Sequence, residues 1–302
     1  MEDDAVLCDA IRCGAEVDAL PAEARLLESG TLLVAQARAA QIPGLLREIG
    51  RRREEAFRAV GEGTGQDLDL DAYDPHYTHL FAWDRARGAL AGAYRLVATD
   101  AFAPSQLPHA LYTHALFEYG ADFVTRLGPA LELGRAFVAP EYQRCSRVLA
   151  LLWKGIARAL QLAQVRSLFG AVSISARYSR RSRGLIAAAL ALHHRHEFAQ
   201  LVRARTPFAF EPADFTAAAE LCDPRALSAR VSELEPDGTG LPVLAKRYLE
   251  LGGEFAAWHV DRAFGDSLDG LMVLDLARAD RARVARYSVS AAIAPRTSSV
   301  VS

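Results

Sequence analysis

The strongest constraint on the fold is an alternation of strand-like and helix-like segments between residues 131 and 193. Two short segments have the apolar density of buried strands, and each is followed by a longer segment with helical periodicity. The strand-like segments span 131–138 and 166–175, and the helical segments span 146–161 and 179–193. Before this series, residues 78–84 and 89–98 indicate two strands joined by the turn RARG, which is typical of a hairpin. This order of elements predicts a mixed α/β sheet, part antiparallel and part parallel.

The flanking segments extend this pattern on both sides. Further strands are expected at 31–37, 254–260 and 269–276 and within 198–205, and further helices at 40–60, 108–124 and 241–252. The chain lacks the dinucleotide, P-loop, serine-hydrolase and zinc-peptidase motifs. The expected organisation is an N-terminal extension at 1–28, one domain at 29–287 with an insertion of loops and short helix at 207–240, and a flexible tail at 288–302.

Composition excludes several classes of function. The 302-residue chain has a formal charge of −2 and a pI near 6.5, so nothing suggests nucleic-acid binding. Its four scattered cysteines include no C-x-x-C pair, which argues against a disulfide framework or a metal site. The N-terminus is acidic and no stretch approaches 18 apolar residues, so neither a secretory signal nor a transmembrane helix is expected. The chain is therefore predicted to be cytoplasmic.

Nine segments resemble, in the same order, those of the bacterial GNAT-fold N-acyltransferases. They are REEAFRAVGEGTG, DLDLDAYD, THLFAWD, GAYRLV, ELGRAFVAPEYQR, LLWKGIARAL, LFGAVSIS, GLPVLAKRYLELGG and LDGLMVLDL, and together they cover roughly residues 29–287. This family includes the ornithine-lipid and glycine-lipid acyltransferases and relatives labelled hemolysin. The acyl-homoserine-lactone synthases are more distant cousins.

The resemblance implies a GNAT-like fold, with a central, mixed, splayed sheet flanked by helices. It also implies transfer of a long-chain fatty acyl group, 3-hydroxylated or not, to the α-amine of a small amino acid. The implied donor is an acyl-phosphopantetheine on acyl carrier protein, or acyl-CoA, and no bound cofactor is expected. The product would be an N-acyl amino acid or a lyso-aminolipid, whose amphiphilic character implies peripheral contact with the inner membrane face.

An acid and a base interrupt the apolar segment LELGRAFV. Glu132 and Arg135 would face opposite sides of a regular strand, because side chains alternate. The resemblance implies a bulged strand that splays from its neighbour, and a bulge near Gly134 would turn both side chains toward one cleft. Glu132 is then the candidate base for the acceptor ammonium, and Arg135 the candidate ligand of the acceptor carboxylate. The alternative is a buried ion pair between the two residues.

The segment EYQRCSR, at the start of the next helix, is a candidate site for the donor. Free N–H groups at a helix N-terminus suit a phosphate, and GNATs that use acetyl-CoA usually carry a glycine-rich loop here. Ser146 and Val148 stand where those glycines would be, which favours a carrier-protein donor. Cys145 is expected to be packed rather than nucleophilic. The donor-binding candidates are Gln143, Arg144, Ser146, Arg147, Val172 and Ser173.

An acidic segment, DLDLDAYD, follows the first long helix. Its likeness to the homoserine-lactone synthases implies that Asp69 or Asp71 binds the acceptor ammonium, as part of a flexible segment that closes over it. Arg52 and Arg95 are candidates for contact with the acceptor or with the acyl carbonyl. The alternative is a solvated acidic loop.

Two other functions compete with N-acyl transfer from a carrier protein. One is an acetyl-CoA-dependent acetyltransferase of the same fold, which the missing loop glycines disfavour. The other is a membrane-active, hemolysin-like protein, which the lack of a signal, a spanning segment and a long amphipathic helix disfavours.

Overall fold

A computed structural model describes residues 2–144, 146–279 and 281–287. The strands are β1 Arg25–Ser29, β2 Leu32–Arg38, β3 Thr78–Asp84, β4 Ala89–Ala98, β5 Phe117–Tyr119, β6 Ala130–Val138, β7 Ser167–Ile174, β8 Val202–Ala204, β9 Glu254–Asp261 and β10 Ser267–Asp275. Within the described residues, eight strands form one sheet in the order β1-β2-β3-β4-β6-β7-β10-β9, and β5 pairs with β8. In the large sheet only β6 and β7 are parallel, so the predicted mixed sheet is confirmed.

The helices are α1 Glu2–Asp18, α2 Pro43–Ala59, α3 Phe123–Leu127, α4 Ser146–Ala163, α5 Arg180–His193, α6 Pro212–Ala218, α7 Pro224–Leu234, α8 Val243–Leu251 and α9 Arg281–Ala285. The predicted helix at 108–124 is wrong. That segment contains a 3-10 turn at Tyr112–Ala115, followed by β5 and the start of α3. Its backbone groups bond across to β8, from Phe117 opposite Ala204 to Tyr119 opposite Val202, rather than along a helix. Among the described residues, no helix is both long and apolar enough to span a membrane.

The large sheet separates two hydrophobic layers. Alternate residues of β2 and β3 face opposite sides, because side chains alternate along a strand. Val34 and Leu80 therefore pack in the layer under α4, whereas Leu33 and Phe81 pack in the layer under α1 and α2. At Gly155, α4 approaches the sheet so closely that an added Cβ would lie 2.7 Å from Val34 Cγ1.

The N-terminal extension and the insertion both contribute side chains to the hydrophobic layers of the domain. Val17 and Leu20, at the end of α1 and just beyond it, are buried in the layer formed with α2. β1 is an edge strand of the large sheet and crosses the expected boundary at residue 29. Within the expected insertion, α6 buries Ala218 and α7 buries Val231 in the other layer. The expected tail at 288–302 lies outside the described residues.

Candidate active site

The bulge predicted near Gly134 is present in β6. The register against β4 skips one position, so that Arg135 and Ala136 together oppose the single residue Tyr94. Arg135 has a φ of 51°, a left-handed conformation that is uncommon outside glycine. Such a conformation persists only where the surrounding structure holds it, and it often marks a functional site.

β6 also separates from β7, as the resemblance implies. The two strands pair from Ala130 with Ser167 to Glu132 with Phe169, whereas β7 pairs with β10 along its whole length. The strands diverge where Gly170 approaches the Leu133 carbonyl oxygen. A Cβ added at residue 170 would overlap that oxygen, so the approach requires glycine. Beyond this point, no ladder joins the described residues of β6 and β7. The gap between the strands is the entrance to a cleft.

The cleft consists of two connected spaces. The first, here called the polar chamber, has a volume of about 110 Å³, and its charged lining residues are Glu62, Arg135 and Asp269. The second, the apolar channel, has a volume of about 630 Å³, and its walls include Val138, Leu149, Trp153, Pro242, Val243 and Tyr287. Residues that line both spaces are Phe57, Glu62, Tyr94, Ala136, Ser173 and Leu244. The bulge therefore lies where a charged pocket opens into an apolar groove.

The acidic segment is built into a buried charge network. Arg53 lies 3.0 Å from a carboxylate oxygen of Asp69 and 3.0 Å from one of Asp74. Arg95 lies 2.6 Å from Asp71 and 3.3 Å from Asp74. Burial disfavours the ionised form of Asp74, but the charges of Arg53 and Arg95 outweigh it and lower its pKa. Asp69 and Asp74 are buried, so the alternative of a solvated acidic loop is wrong for these two residues.

Arg95 is part of this network and does not reach the cleft. Its side chain is fully buried, and the rings of Tyr73, Tyr77 and Tyr112 lie 4.8–5.6 Å from its guanidinium carbon. The prediction that Arg95 contacts the acceptor or the acyl carbonyl is therefore not supported. Its charge instead compensates the carboxylates of the network.

Arg53, rather than Arg52, is the arginine that α2 directs inward. Arg53 is buried and lies one helical turn after the buried Ile49. Arg52 lies on the outer side of the helix, where it pairs with Glu55 and Glu141. Arg52 is not among the residues that line the polar chamber, and its contact with the acceptor stays a prediction. The four-residue spacing from Ile49 is the sequence signal that points to Arg53 instead.

Arg135 is the member of the network that also lines the polar chamber. Its guanidinium lies 3.4 Å from Asp69 and 3.7 Å from Asp71, distances longer than those of Arg53 and Arg95. Among the described residues, its Nε has no hydrogen-bond partner, although it is buried. The rings of Tyr112 and Phe264 lie 4.9 and 4.7 Å from its guanidinium carbon. Arg135 is thus held in place and retains capacity to bind an anion in the chamber.

Glu132 is surrounded by hydrogen-bond donors. Its carboxylate accepts bonds from the Thr113 N–H at 2.7 Å, the Thr113 hydroxyl at 2.6 Å, the Tyr112 N–H at 3.2 Å and the Tyr77 hydroxyl. Burial raises the pKa of Glu132, and the bonds from Thr113 and Tyr77 oppose that shift. Glu132 is not among the residues that line the polar chamber. The alternative of an ion pair with Arg135 is also wrong, because Arg135 pairs with aspartates.

Two further carboxylates, Glu62 and Asp269, line the polar chamber. Asp269 is buried in β10 opposite Ser173 of β7, and burial raises its pKa to about 6. Burial and the Asp269 charge raise the pKa of Glu62 to about 7. These residues are not predicted by motif matching. The available signals are an aspartate inside the apolar segment LDGLMVLDL and a glutamate between two glycines after α2.

Four of the donor-binding candidates lie at the cleft. Gln143 and Arg144 line the apolar channel, and the Gln143 side chain donates a hydrogen bond to the Val138 carbonyl at 3.0 Å. Val172 lines the polar chamber, and Ser173 lines both spaces. The structure therefore places these four residues along the gap between β6 and β7.

The other two donor-binding candidates are not placed at the cleft. Arg147 donates a hydrogen bond to the Ser29 hydroxyl at 2.9 Å and lies against the hairpin of β1 and β2. Its predicted contact with the donor is therefore not supported. The Ser146 side chain and Cys145 lie outside the described part of the chain.

Comparison with known proteins finds both a family match and named relatives. Residues 52–154 match the family described as acetyltransferase (GNAT) domain. A protein of Bacteroides thetaiotaomicron named glycine N(alpha)-acyltransferase is 32% identical over 227 residues, which cover 69% of this chain and 66% of that protein. A protein of the same name from Phocaeicola vulgatus is 34% identical over 157 residues, 48% of each chain. The chain thus spans about two thirds of the first relative and about half of the second.

Two solved structures are also similar to the chain. One is TofI in a ternary complex with an inhibitor and MTA, with a TM-score of 0.42 and 13% identity over 84% of this chain and 95% of that chain. The other is FeeM, an N-acyl amino acid synthase from uncultured soil microbes, with a TM-score of 0.42 and 9% identity over 82% of this chain and 92% of that chain. The family match thus makes residues 52–154 of this chain similar to the GNAT acetyltransferase domain family.

Proposed function

We propose that this protein is an N-acyltransferase that transfers a long-chain fatty acyl group from a phosphopantetheine thioester to the α-amine of a small amino acid. The observation that carries the proposal is the two-part cleft, in which a small charged chamber opens into a long apolar channel at the β6 bulge. The names of the curated relatives support glycine as the acceptor.

The polar chamber suits a small zwitterion. Arg135 offers a positive charge to a carboxylate, while Glu62 and Asp269 offer negative charge to an ammonium. The chamber volume of about 110 Å³ has room for several water molecules, which matches a small amino acid better than one with a long side chain. Because Asp69 and Asp71 are already paired with arginines, we assign the acceptor ammonium to Glu62 and Asp269 instead.

The gap between β6 and β7 suits the pantetheine arm of the donor. On the β7 side, residues 133–138 of β6 form no ladder among the described residues, so their backbone groups can bond to the amides of the arm. Gln143, Arg144 and Ser173 lie along this path. We favour acyl carrier protein over coenzyme A as the donor, since the start of α4 lacks a glycine-rich phosphate loop and Arg144 is exposed for docking.

The apolar channel suits an acyl chain, and two polar groups in its wall suit a 3-hydroxy substituent. The Tyr94 hydroxyl and the Trp153 indole N–H are buried close to each other, and neither makes a hydrogen bond of good geometry in the described structure. Leaving such groups unpaired costs free energy, and a hydroxyl on the bound chain would satisfy them. The product is amphiphilic, so peripheral contact of the protein with a membrane would help to release it.

The direct test is to incubate the purified chain with glycine and either palmitoyl- or 3-hydroxypalmitoyl-acyl carrier protein, palmitoyl-CoA or acetyl-CoA. We expect mass spectrometry to detect N-acylglycine, formed fastest from the carrier-protein thioesters. A preference for acetyl-CoA would instead support a short-chain acetyltransferase. Absence of turnover with every donor and with a pool of amino acids would contradict the proposed function.

Charge reversal at Arg144 is expected to weaken use of the carrier protein. Arg144→Glu places a negative charge at the channel mouth, where an acidic carrier protein would dock. We expect the apparent KM for acyl carrier protein to rise at least about tenfold at low salt, and less at high salt because of screening. Arg126→Glu, on α3 at the other end of β6, is the matched control and should leave this KM unchanged. Equal effects of the two variants would contradict docking at Arg144.

A large side chain at the junction of the two spaces is expected to select against long acyl chains. Ala136 lines both spaces, and Ala136→Phe would put a ring where the chain enters the channel. We expect the ratio of kcat/KM for palmitoyl to that for a four-carbon donor to fall at least about tenfold, which corresponds to ~1.4 kcal/mol. Ala217→Phe, exposed on α6, is the control. An unchanged ratio would place the acyl chain elsewhere.

A further inference from the structure

The carboxylates near the β6 bulge fall into two groups. Asp69, Asp71 and Asp74 are paired with arginines, and Glu132 accepts four hydrogen bonds. None of these four residues lines the polar chamber, so none of them lies where it would meet an acceptor amine bound there. Although burial raises the pKa of Glu132, its position and its four hydrogen bonds favour a structural role, as the ion pairs do for the aspartates.

Glu62 and Asp269 form the second group. Among the described residues, neither forms an ion pair, and Glu62 makes no side-chain hydrogen bond. Asp269 accepts a long hydrogen bond of 3.4 Å from the Ser267 hydroxyl, and a bond from the Ser173 side chain also opposes the rise in its pKa. Both side chains line the polar chamber, and Glu62 also lines the apolar channel. An uncompensated carboxylate at the junction of the two spaces has no evident structural purpose.

The backbone at Glu62 is held firmly relative to the cleft. The Glu62 N–H donates to the Phe57 carbonyl at 2.9 Å, and the Ser175 hydroxyl, just after β7, donates to the Val60 carbonyl at 2.5 Å. The ring of Phe57 packs edge-on against Phe264, with centroids 5.0 Å apart. These contacts fix the position of the glutamate although it lies in a turn after α2.

The surroundings of Glu62 make it a proton acceptor near neutral pH. Burial is the largest cause of its raised pKa of about 7, the Asp269 charge raises it further, and the Arg135 charge opposes both. The ionisable groups that share the chamber with Glu62 are Asp269 from β10, Arg135 from β6, Tyr94 from β4, Tyr112 from the 3-10 turn and Tyr248 from α8. The pKa values of the three tyrosines are raised, so these side chains stay neutral in this range.

We infer that Glu62, with Asp269 beside it, is the base that takes a proton from the acceptor ammonium. This inference rests on the proposed function. The ammonium gives one proton to the Glu62 carboxylate, and the freed amine nitrogen attacks the thioester carbonyl carbon. The C–N bond forms, the C–S bond breaks, and the departing thiolate takes the second amine proton. Glu62 then releases its proton to solvent. Glu132 becomes a positioning residue, because its bonds hold the backbone of Tyr112 and Thr113 beside the chamber.

The test is the pH dependence of turnover in four proteins: wild type, Glu62→Gln, Asp269→Asn and Glu132→Gln. In the wild type we expect kcat/KM to rise with pH, because Glu62 must be ionised, and to level off above about 7. Glu62→Gln should lower kcat by about 100-fold or more and abolish this inflection. Asp269→Asn removes a charge that raises the pKa of Glu62, so the inflection should move to lower pH. Glu132→Gln should keep the inflection at its wild-type pH.

Each contrary outcome has one meaning. A Glu62→Gln variant that keeps the wild-type rate and inflection would overturn the inference while leaving the proposed function standing. Loss of the inflection in Glu132→Gln alone would also overturn the inference. So would a wild-type pH profile that follows only the ionisation of the acceptor amine. A wild type that turns over no donor would overturn the proposed function, and this inference with it. Melting temperatures of all four proteins show whether a lost rate reflects a folding defect.

Discussion

Asp74→Asn is expected to lower the free energy of unfolding by about 3–5 kcal/mol, the typical cost of breaking a buried ion pair. The Asp74 carboxylate lies between Arg53 and Arg95, whose side chains are 1% and 0% exposed. Asparagine keeps the size of the side chain but removes its charge, so both guanidinium groups lose part of their compensation in a region that excludes water. Urea unfolding followed by tryptophan fluorescence measures the change.

The control for this variant is an ion pair of the same kind at the surface. Arg230 and Glu233 lie 2.6 Å apart on α7, and both side chains are exposed. Glu233→Gln is expected to change the free energy of unfolding by only ~0–1 kcal/mol. If Asp74→Asn has an effect as small as the control, the network does not stabilise the fold in the way its burial indicates.

The stabilisation from Asp74 should also depend on pH with a defined sign. Burial opposes ionisation of Asp74, but the two arginine charges outweigh it, so the pKa in the folded protein lies below the ordinary 3.8. A carboxyl whose pKa is lowered on folding stabilises the protein fully above its unfolded pKa, and that contribution is lost as pH falls. The difference in unfolding free energy between wild type and Asp74→Asn should therefore shrink below about pH 4. A difference that grows as pH falls would contradict this assignment.

Arg135→Met is expected to raise the KM for glycine by about 10- to 100-fold, since a hydrogen bond to a charged group contributes about 1.5–3 kcal/mol. Arg135 lines the polar chamber, where we propose that it binds the acceptor carboxylate. Methionine keeps much of the apolar length of the side chain. Methionine, like arginine, has a Cβ, so the free-energy cost of a φ of 51° at this position is the same for both residues. Glycine would relieve that cost. The effect therefore reports the guanidinium rather than the bulge.

Glycinamide supplies the control for Arg135→Met within the same protein. It carries the amine but lacks the carboxylate, so its KM should be high in the wild type and change little in the variant. The KM for the acyl donor should also stay near its wild-type value. Equal loss of affinity for glycine, glycinamide and donor would indicate a general defect in the cleft, and the carboxylate would then bind elsewhere.

The sequence by itself determined most of the secondary structure, and its resemblance to a known family indicated the place of the bulge. The predicted strands at 78–84 and 89–98 coincide with β3 and β4, and the interrupted segment LELGRAFV forms the bulged strand β6. The strands follow from local periodicity, which a sequence displays directly, whereas the bulge is what the family resemblance implies. The helix predicted at 108–124 is wrong because its pairing partner, β8, lies far away in the sequence.

Only the tertiary structure decided which charged residues are available for chemistry. Arg52 and Arg53 are neighbours in the sequence. Arg52 nevertheless pairs with a glutamate of its own helix, whereas Arg53 is buried and pairs with Asp74. Glu62 and Asp269 come from opposite ends of the domain and meet in the chamber because β10 lies beside β7 in the sheet. Whether a carboxylate is paired or unpaired depends on distance and burial in three dimensions. Those quantities arise from contacts between distant segments, which local sequence patterns do not encode.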